Sequence, residues 1–460
     1  MPVVIPPPDI RQTFSDADKL QSLFVNAQNQ SCRTIIESAV RNYHHWDKFR
    51  HYKLPEGFAH TDLWAFIKFG RLAQRKMAPF TDKLGTTFTY WIPDTLLKVL
   101  NEIDRWSGGN IIMDHPGGLA PKEKYIVSSL MEEAIASSQL EGAATTRKVA
   151  KELLRSGRKP KNKSERMILN NWQTMQYVRE HKKEKLTLDR LREIHQIITA
   201  DTMEDPTEAG ELRKRDDIVV EYHGDIVHTP PSYKAVPARL DKLFEFFNKD
   251  AEDNWIHPVI KGAMIHFWIA YDHPFTDGNG RTARALMYWY LLSRDYLLFE
   301  YLAFSRYIVK APAQYVRAYL YTETDENDLN YFLFFQLGAI QKAFQELRHY
   351  LQRKQEEIAI SSNLLKRHKG LNLRQKTLIY NAIRHPDRQY TLQAHMTVHG
   401  IVYETARQDL MELTHKGFFK KTRQGKEFVF YPSDTILDKL KLTAESKKII
   451  LENPQTAISF

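Results

Sequence analysis

The sequence predicts a mainly α-helical protein with one short β-hairpin and a small C-terminal domain of winged helix-turn-helix order. Three observations carry this. Apolar residues recur at helical spacing through most of the first 350 residues, as in Ile260, Met264, Phe267, Trp268 and Tyr271, which share one helix face. That spacing breaks at "DDIVVEYHGDIVHTPPSY", where Ile218, Val219 and Val220, a turn at Gly224-Asp225, then Ile226 and Val227 read as a hairpin ended by Pro230-Pro231. Beyond Leu351 the order becomes helix, short helix, turn at Gly400, longer helix, and two β-like runs about Gln424-Gly425.

Taken in order, residues 1–85 read as a helical, aromatic-rich extension with Trp46, Phe49, Tyr52, Phe58, Trp64, Phe66 and Phe69 among many basic residues. Such interleaving can stack nucleic-acid bases. Leu63, Phe66 and Ile67 fall at i, i+3 and i+4, however, so a buried helix face accounts for them without a ligand. Residues 86–160 carry helices in "IPDTLLKVLNEIDRW" and in "PKEKYIVSSLMEEAIASSQLEG", with Pro121 near the second start and Gly142 as its C-cap. A basic link, "RSGRKPKNKSER", follows. Residues 161–350 hold further helices on both sides of the hairpin, with one from Arg281 to Leu292. Residues 360–435 form the helix-turn-helix domain and 436–460 a tail.

Composition bounds the function. Hydrophobic residues make up 42% and charged residues 27% of the 460, ordinary for a globular protein. No apolar run reaches the length of a membrane span, and the start lacks the basic and apolar regions of a secretion signal. Cys32 is the single cysteine, so intramolecular disulfides and a cysteine-rich zinc site are excluded and a cytoplasmic location is expected. The net charge of +10 invites anionic partners, although exterior Lys and Arg account for such an excess equally well.

The densest chemistry lies in "HPFTDGNGRTAR", His273 to Arg284. Gly278 and Gly280 permit close backbone approach, so amides can converge on phosphate oxygens. A helix starting near Arg281 adds its positive end to the same place. Arg281 and Arg284 can neutralise further phosphate charge. Asp277 is a hard oxygen ligand suited to Mg²⁺, and His273 can take a proton near neutral pH. The stretch "GNGRTA" also matches a dinucleotide fingerprint, with Glu300 about twenty residues on, but that fingerprint follows a strand and here the preceding spacing is helical. A Walker loop needs Lys-Ser/Thr where this chain has Arg-Thr after the wrong spacing. A plain helical bend would need one glycine, without a base, an acid and paired arginines.

These residues resemble the Fic-domain signature, His-Pro-Phe-x-Asp/Glu-Gly-Asn-Gly-Arg-x-x-Arg, at every specified position, and "GELR" (Gly210 to Arg213) and the hairpin agree across residues 90 to 340. The resemblance implies a Fic helical fold and transfer of AMP from ATP to a Ser, Thr or Tyr hydroxyl of a protein, or of the chain itself. On that reading His273 is the base and Phe275 anchors the loop. Asp277 binds Mg²⁺, Gly278, Asn279 and Gly280 form the anion hole, Arg281 grips the β-phosphate side and Arg284 the γ-phosphate. The hairpin, Val219 to Thr229, resembles the family's flap, with Val227, His228 and Thr229 near the nucleotide and an acceptor segment added by β-augmentation. Tyr315 and Tyr319 fall where the family packs the adenine pocket. "SSQLEG", Ser137 to Gly142, resembles the inhibitory motif Ser/Thr-x-x-x-Glu-Gly/Asn, which implies that Glu141 pairs with Arg284 and blocks the γ-phosphate position. Homodimerisation is a further expectation from relatives.

In the C-terminal domain, Val402 to Lys416 would be the recognition helix, exposing Glu404, Arg407 and Gln408, and the wing would carry Lys420, Lys421, Arg423 and Lys426. The cations suit DNA phosphates, whereas Glu404 and Glu412 oppose them, so DNA and protein both stand as partners. A second function therefore stays open: a DNA-binding regulator whose Fic portion senses nucleotide or modifies only itself.

Overall fold

The structure, a computed structural model, describes residues 4–10, 21, 24–25, 27–107, 122–250, 255–367, 370–384, 386–399, 401–424 and 427–440. Pro121, the turns at Gly400 and Gly425, Lys426 and tail residues 441–460 lie outside the described residues. The chain divides into two compact units, Met1–Leu347 and Arg348–Phe460.

In the first unit the elements run α1 (Gln30–Arg41), α2 (Trp46–Phe49), α3 (His60–Leu72), β1 (Lys76–Thr81), β2 (Thr87–Tyr90), α4 (Asp94–Ser107), α5 (Lys122–Leu140), α6 (Arg147–Ser156), α7 (Lys163–Glu180) and α8 (Leu188–Thr199). Then come β3 (Val220–Tyr222), β4 (Asp225–His228), α9 (Val236–Asn248), α10 (Pro258–Asp272), α11 (Asn279–Ser293), α12 (Ser305–Val309), α13 (Pro312–Thr324) and α14 (Asn330–Arg367), whose residues after Leu347 are counted with the second unit. The protein is mainly α, with small antiparallel sheets.

The centre is α10 packed against α11. Sequence spacing put one face of α10 inward, but burial runs all round it and includes Ala263, Ile265, His266 and Ile269 as well as Met264 and Trp268. A helix apolar on every side is one surrounded by other elements. The turn of the β3–β4 hairpin lies one residue earlier than the sequence placed it. Tyr222 pairs with Asp225, leaving His223 and Gly224 as the two turn residues, at φ 53° and 83°. Two positive φ values are the mark of a type I′ turn, which matches strand twist.

Of the elements that escaped the sequence reading, two matter here. One is α6, capped by the Thr146 side chain at its start and by left-handed Gly157 at its end. Only residues 157–162 of the basic link remain a loop. There Arg158 donates twice to buried Glu165, at 2.7 Å each, and its guanidinium is the main cause holding that carboxyl down to about 2. The other is the β1–β2 hairpin, which contradicts an all-helical reading of residues 1–85 and a boundary at residue 85. That residue is Gly85, in the hairpin's own turn at φ 89°. Phe80 stacks on Trp268 with centroids 4.4 Å apart, and Phe88 meets Phe267 and Tyr271 at 5.2 Å. The hairpin is thus part of the wall around α10.

The N-terminal aromatics form a core. Phe49 and Trp64 are fully buried with Leu63 and Ile67, while Phe69 stays exposed and meets Phe24 edge-on. This cluster is tied to the rest of the unit by buried charge. Lys68 donates to Asp325 at 2.6 Å, Tyr331 donates to the same carboxylate at 2.6 Å, and Arg71 donates to Tyr331 at 2.8 Å.

The second unit contains α15 (Leu373–Arg384), β5 (Tyr390–Thr391), α16 (Leu392–His399), α17 (Tyr403–His415), β6 (Phe419–Gln424), β7 (Glu427–Pro432) and α18 (Ile436–Lys439). Its sheet is antiparallel in the order β5-β7-β6, over a core of Leu378, Ile383, Leu410, Leu413 and Phe430. Ile436, at the start of the segment read as a tail, joins that core. No helix among the described residues is long and apolar enough to cross a membrane.

Removing one partner of a buried ion pair leaves the other charge without compensation. Asp325→Ala is therefore expected to cost the first unit about 3–5 kcal/mol, read as a lower urea midpoint. Glu326→Gln, whose side chain is half exposed, should stay within about 0.5 kcal/mol.

Candidate active site

The site forms where α10 ends and α11 begins. His273 caps α10 in the left-handed region, φ 48°, and Gly278 starts α11 at φ 80°. The helix therefore begins at Asn279, two residues before the start read from the sequence. The six residues from His273 to Gly278 must turn the chain while keeping their backbone polar groups satisfied. Asn279 does much of this: its side chain accepts from the Phe275 amide at 3.0 Å and donates to the Phe275 carbonyl at 2.9 Å. The Asn279 side chain thus serves the loop, and what this residue offers a ligand is its amide. Amides of a first helical turn have no intrahelical carbonyl to bond, so those of Asn279, Gly280 and Arg281 form a ready anion site.

Two residues outside the signature hold the loop. Arg213 donates to the His273 carbonyl at 2.8 Å and to the Pro231 carbonyl, and its amide donates to the Pro274 carbonyl at 2.9 Å. His195, on α8, donates from Nε2 to the Asp277 carbonyl at 2.8 Å and accepts from the Gly210 amide at Nδ1, 2.9 Å. Its ring stacks on buried Phe275, centroids 3.7 Å apart and planes within 8°. A carbonyl on one nitrogen and an amide N–H on the other require neutral imidazole, and burial pushes the His195 pKa down to about 4. Sequence reasoning missed His195. Its one signal was a histidine on an apolar helix face, with Leu191, Ile194 and Ile198.

His273 is half-buried, and its Nδ1 lies 3.1 Å from the Ala270 carbonyl. A carbonyl only accepts, so Nδ1 carries the proton and Nε2 keeps its lone pair. Burial pushes this imidazole down to about 4, with His228 and Arg213 adding to the shift and Ala270 and Glu141 opposing it. The ring is neutral at pH 7, as a base must be.

Arg284 is fully buried and reaches back to α5. Nε donates to Ser137 Oγ at 2.7 Å, and Nη2 donates to the Ser137 carbonyl at 2.9 Å and to Glu141 Oε1 at 2.8 Å. Glu141 follows the end of α5, and Gly142 turns the chain away at φ 89°. The carboxylate lies against the first turn of α11: a Cβ placed on Gly280 would fall 2.2 Å from Glu141 Oε1. Arg281 is also buried, donating to the Ile198 carbonyl at 2.9 Å. Burial lowers its pKa, whereas Glu141 helps hold that of Arg284 above its usual range despite burial. Asp277 is half exposed, accepting from the Gly278 amide at 2.5 Å.

The flap residues separate. His228 is buried, 2.8 Å from the Tyr271 carbonyl and 3.0 Å from Glu323, whereas Val227 is half-buried and Thr229 exposed. Tyr315 and Tyr319 are linked through their hydroxyls at 3.1 Å, with His266 2.9 Å from Tyr315. Among the described residues, no group of three or more His, Cys, Asp or Glu is arranged to hold a metal.

Fold and site define a class: an α-helical domain whose two central helices meet at a loop that brings amides, arginines and a neutral imidazole together. Residues 185–291 match the Fic/DOC family model. That match is shorter than the 90–340 span of the sequence resemblance. The chain is 31% identical over 183 residues to a Protein adenylyltransferase Fic of Nematostella vectensis, covering 37% of this chain and 40% of that one. It is 37% identical over 119 residues to a protein of the same name from Culex quinquefasciatus, covering 25% and 21%. The chain thus spans less than half the length of these curated relatives. A Fic family protein from Desulfovibrio desulfuricans G20 aligns with a TM-score of 0.49 and 17% identity, over 74% of this chain and 95% of that one.

The depressed His195 pKa has a thermodynamic consequence. Its folded value lies below the unfolded one near 6.5, so the unfolded chain binds the proton first as pH falls. Stability present above pH 6.5 should decline toward pH 4 by on the order of 3 kcal/mol from this residue. Urea midpoints of His195→Gln should fall less steeply across that interval than those of the wild type; equal slopes would contradict the assignment.

Proposed function

We propose that the protein is an adenylyltransferase that moves AMP from ATP to a hydroxyl of a protein, held idle by Glu141. The observation that carries this reading is the placement of a neutral His273, with its Nε2 lone pair available, at the loop that presents the first amides of α11. The acceptor hydroxyl gives its proton to Nε2 as its oxygen attacks the α-phosphorus. The bond from that phosphorus to the bridging oxygen breaks, and pyrophosphate leaves. Positioning and charge stabilisation supply most of the rate in such displacements. The Asn279, Gly280 and Arg281 amides receive phosphate oxygens, and Arg281 and Arg284 add positive charge. A bound polyphosphate beside the imidazole raises its basicity from the low value burial imposes.

Mg²⁺ fits this arrangement. The ion normally takes one or two carboxylates with substrate phosphates and water, so a single accessible carboxylate, Asp277, suffices without a protein cage. Asp277 would hold the ion, which would neutralise phosphate charge.

The Arg284–Glu141 bond accounts for the idle state. A guanidinium already donating to Ser137 and Glu141 has less left for a terminal phosphate, and the carboxylate beside Gly280 repels one. We further read the second unit as a winged helix that docks protein rather than DNA. Arg407 pairs with Glu404, Lys420 with Asp434, and Lys421 lies over Phe428, so three of its cations already have partners. Apolar Val402 and Tyr403 are exposed at the start of its long helix.

With α-labelled ATP and Mg²⁺, Glu141→Gly is expected to label protein faster than the wild type. Adding His273→Ala should lower that rate by about 10²–10⁴. Equal labelling by wild type and Glu141→Gly would remove the inhibitory role, and labelling that survives loss of His273 would remove the base.

A further inference from the structure

The β1–β2 hairpin lies outside the residues that match the family model, yet its tip reaches the catalytic loop's approach and the flap together. Three features make the tip rigid. Asp82 Oδ1 accepts from the Leu84 and Thr86 amides at 2.8 Å each, Asn327 donates to Asp82 Oδ2 at 2.9 Å, and Gly85 closes the turn with a positive φ. Lys83 then makes two contacts from one residue. Its amide donates to the Tyr271 hydroxyl at 3.2 Å, and its Nζ donates to the Thr229 carbonyl at 3.2 Å, at the end of the flap. Beside it Arg239 donates to the Thr81 carbonyl at 2.6 Å and to Asp272 at 2.7 Å, the residue before His273.

A hairpin of two short strands has little stability alone. The flap has only β3 and β4, and Ile226 on it is exposed. Its position must come from whatever holds its ends. Its second end is held by His228 against the Tyr271 carbonyl and by Lys83 at Thr229.

We propose that the β1–β2 tip is a brace for the flap, with Lys83 as the positioning residue that fixes where an acceptor polypeptide is held relative to His273. This rests on the reading of the site as an AMP-transfer site, and it adds a part of the chain that the signature does not include. Lys83 touches neither nucleotide nor acceptor in this assignment; it acts through the flap backbone. An extended acceptor segment pairing with a β3–β4 edge inherits whatever register that backbone has. Loosening the brace should therefore weaken acceptor placement while leaving the nucleotide cradle, built on α11, as it was.

Hydrogen–deuterium exchange of the full chain reads the brace without any need for activity. In Lys83→Met, amides of residues 220–228 should exchange about tenfold faster than in the wild type, with residues 260–270 unchanged. Lys83→Arg, which keeps a donor, should restore protection. Flap exchange equal in Lys83→Met and wild type, or faster exchange shared equally by residues 260–270, would overturn the proposal. The functional reading fails separately: if the flap loosens as expected but the Glu141→Gly chain releases no pyrophosphate from ATP and Mg²⁺, the brace stands and the AMP-transfer assignment falls.

Discussion

The loop from His273 to Gly278 faces a constraint of backbone satisfaction. It is largely buried, so its amides and carbonyls need partners, yet a loop that bonded all of them would leave nothing for a ligand. The structure resolves this by assigning the loop's groups to dedicated side chains. Arg213 takes the His273 carbonyl, Asn279 takes both polar groups of Phe275, His195 takes the Asp277 carbonyl, and Asp277 takes the Gly278 amide. The amides of the first turn of α11 are left open as well, because helix geometry supplies them no acceptor. Side chains from α8, from α11 and from the segment before β3 set the shape of their surroundings.

The same economy applies to α5. Glu133, Ser137 and Glu141 succeed one another at four-residue intervals along one side. Glu133 accepts from Ser305 at its amide and hydroxyl, and burial raises its carboxyl above the usual range. Ser138, on a neighbouring face, donates to the Met167 carbonyl. The segment that leads to Glu141 is thus seated by polar contacts as well as by Leu130, Ala134 and Ile135. Polar contacts are directional, so they fix the position of Glu141 more sharply than apolar packing would.

Much of this was legible in the chain. The helix pair around the motif, the glycines, the position of His273 and the Ser137–Glu141 spacing could all be read because short-range chemistry placed them. The β1–β2 hairpin could not. Pro79 interrupts β1, β2 is only four residues long, and the pairing register shifts between Met77 and Thr81. Its stability comes from Phe80 and Phe88 packing on α10, far away in sequence. His195 was illegible for a related reason: it looks like one more inward residue of an amphipathic helix until Asp277 and Gly210 arrive at its two nitrogens. The turn at His223-Gly224 was displaced because Asp225 is as good a turn residue as histidine on propensity, and strand pairing decided otherwise.

One absence of an atom carries a final consequence. Residue 280 has no side chain, and the Glu141 oxygen lies where a methyl group would begin. On the proposed reading the lock and the phosphate cradle meet at this residue, and its lack of a side chain is what leaves the Glu141 carboxylate room. A single carbon there would force the Glu141 carboxylate to shift away from the first turn of α11.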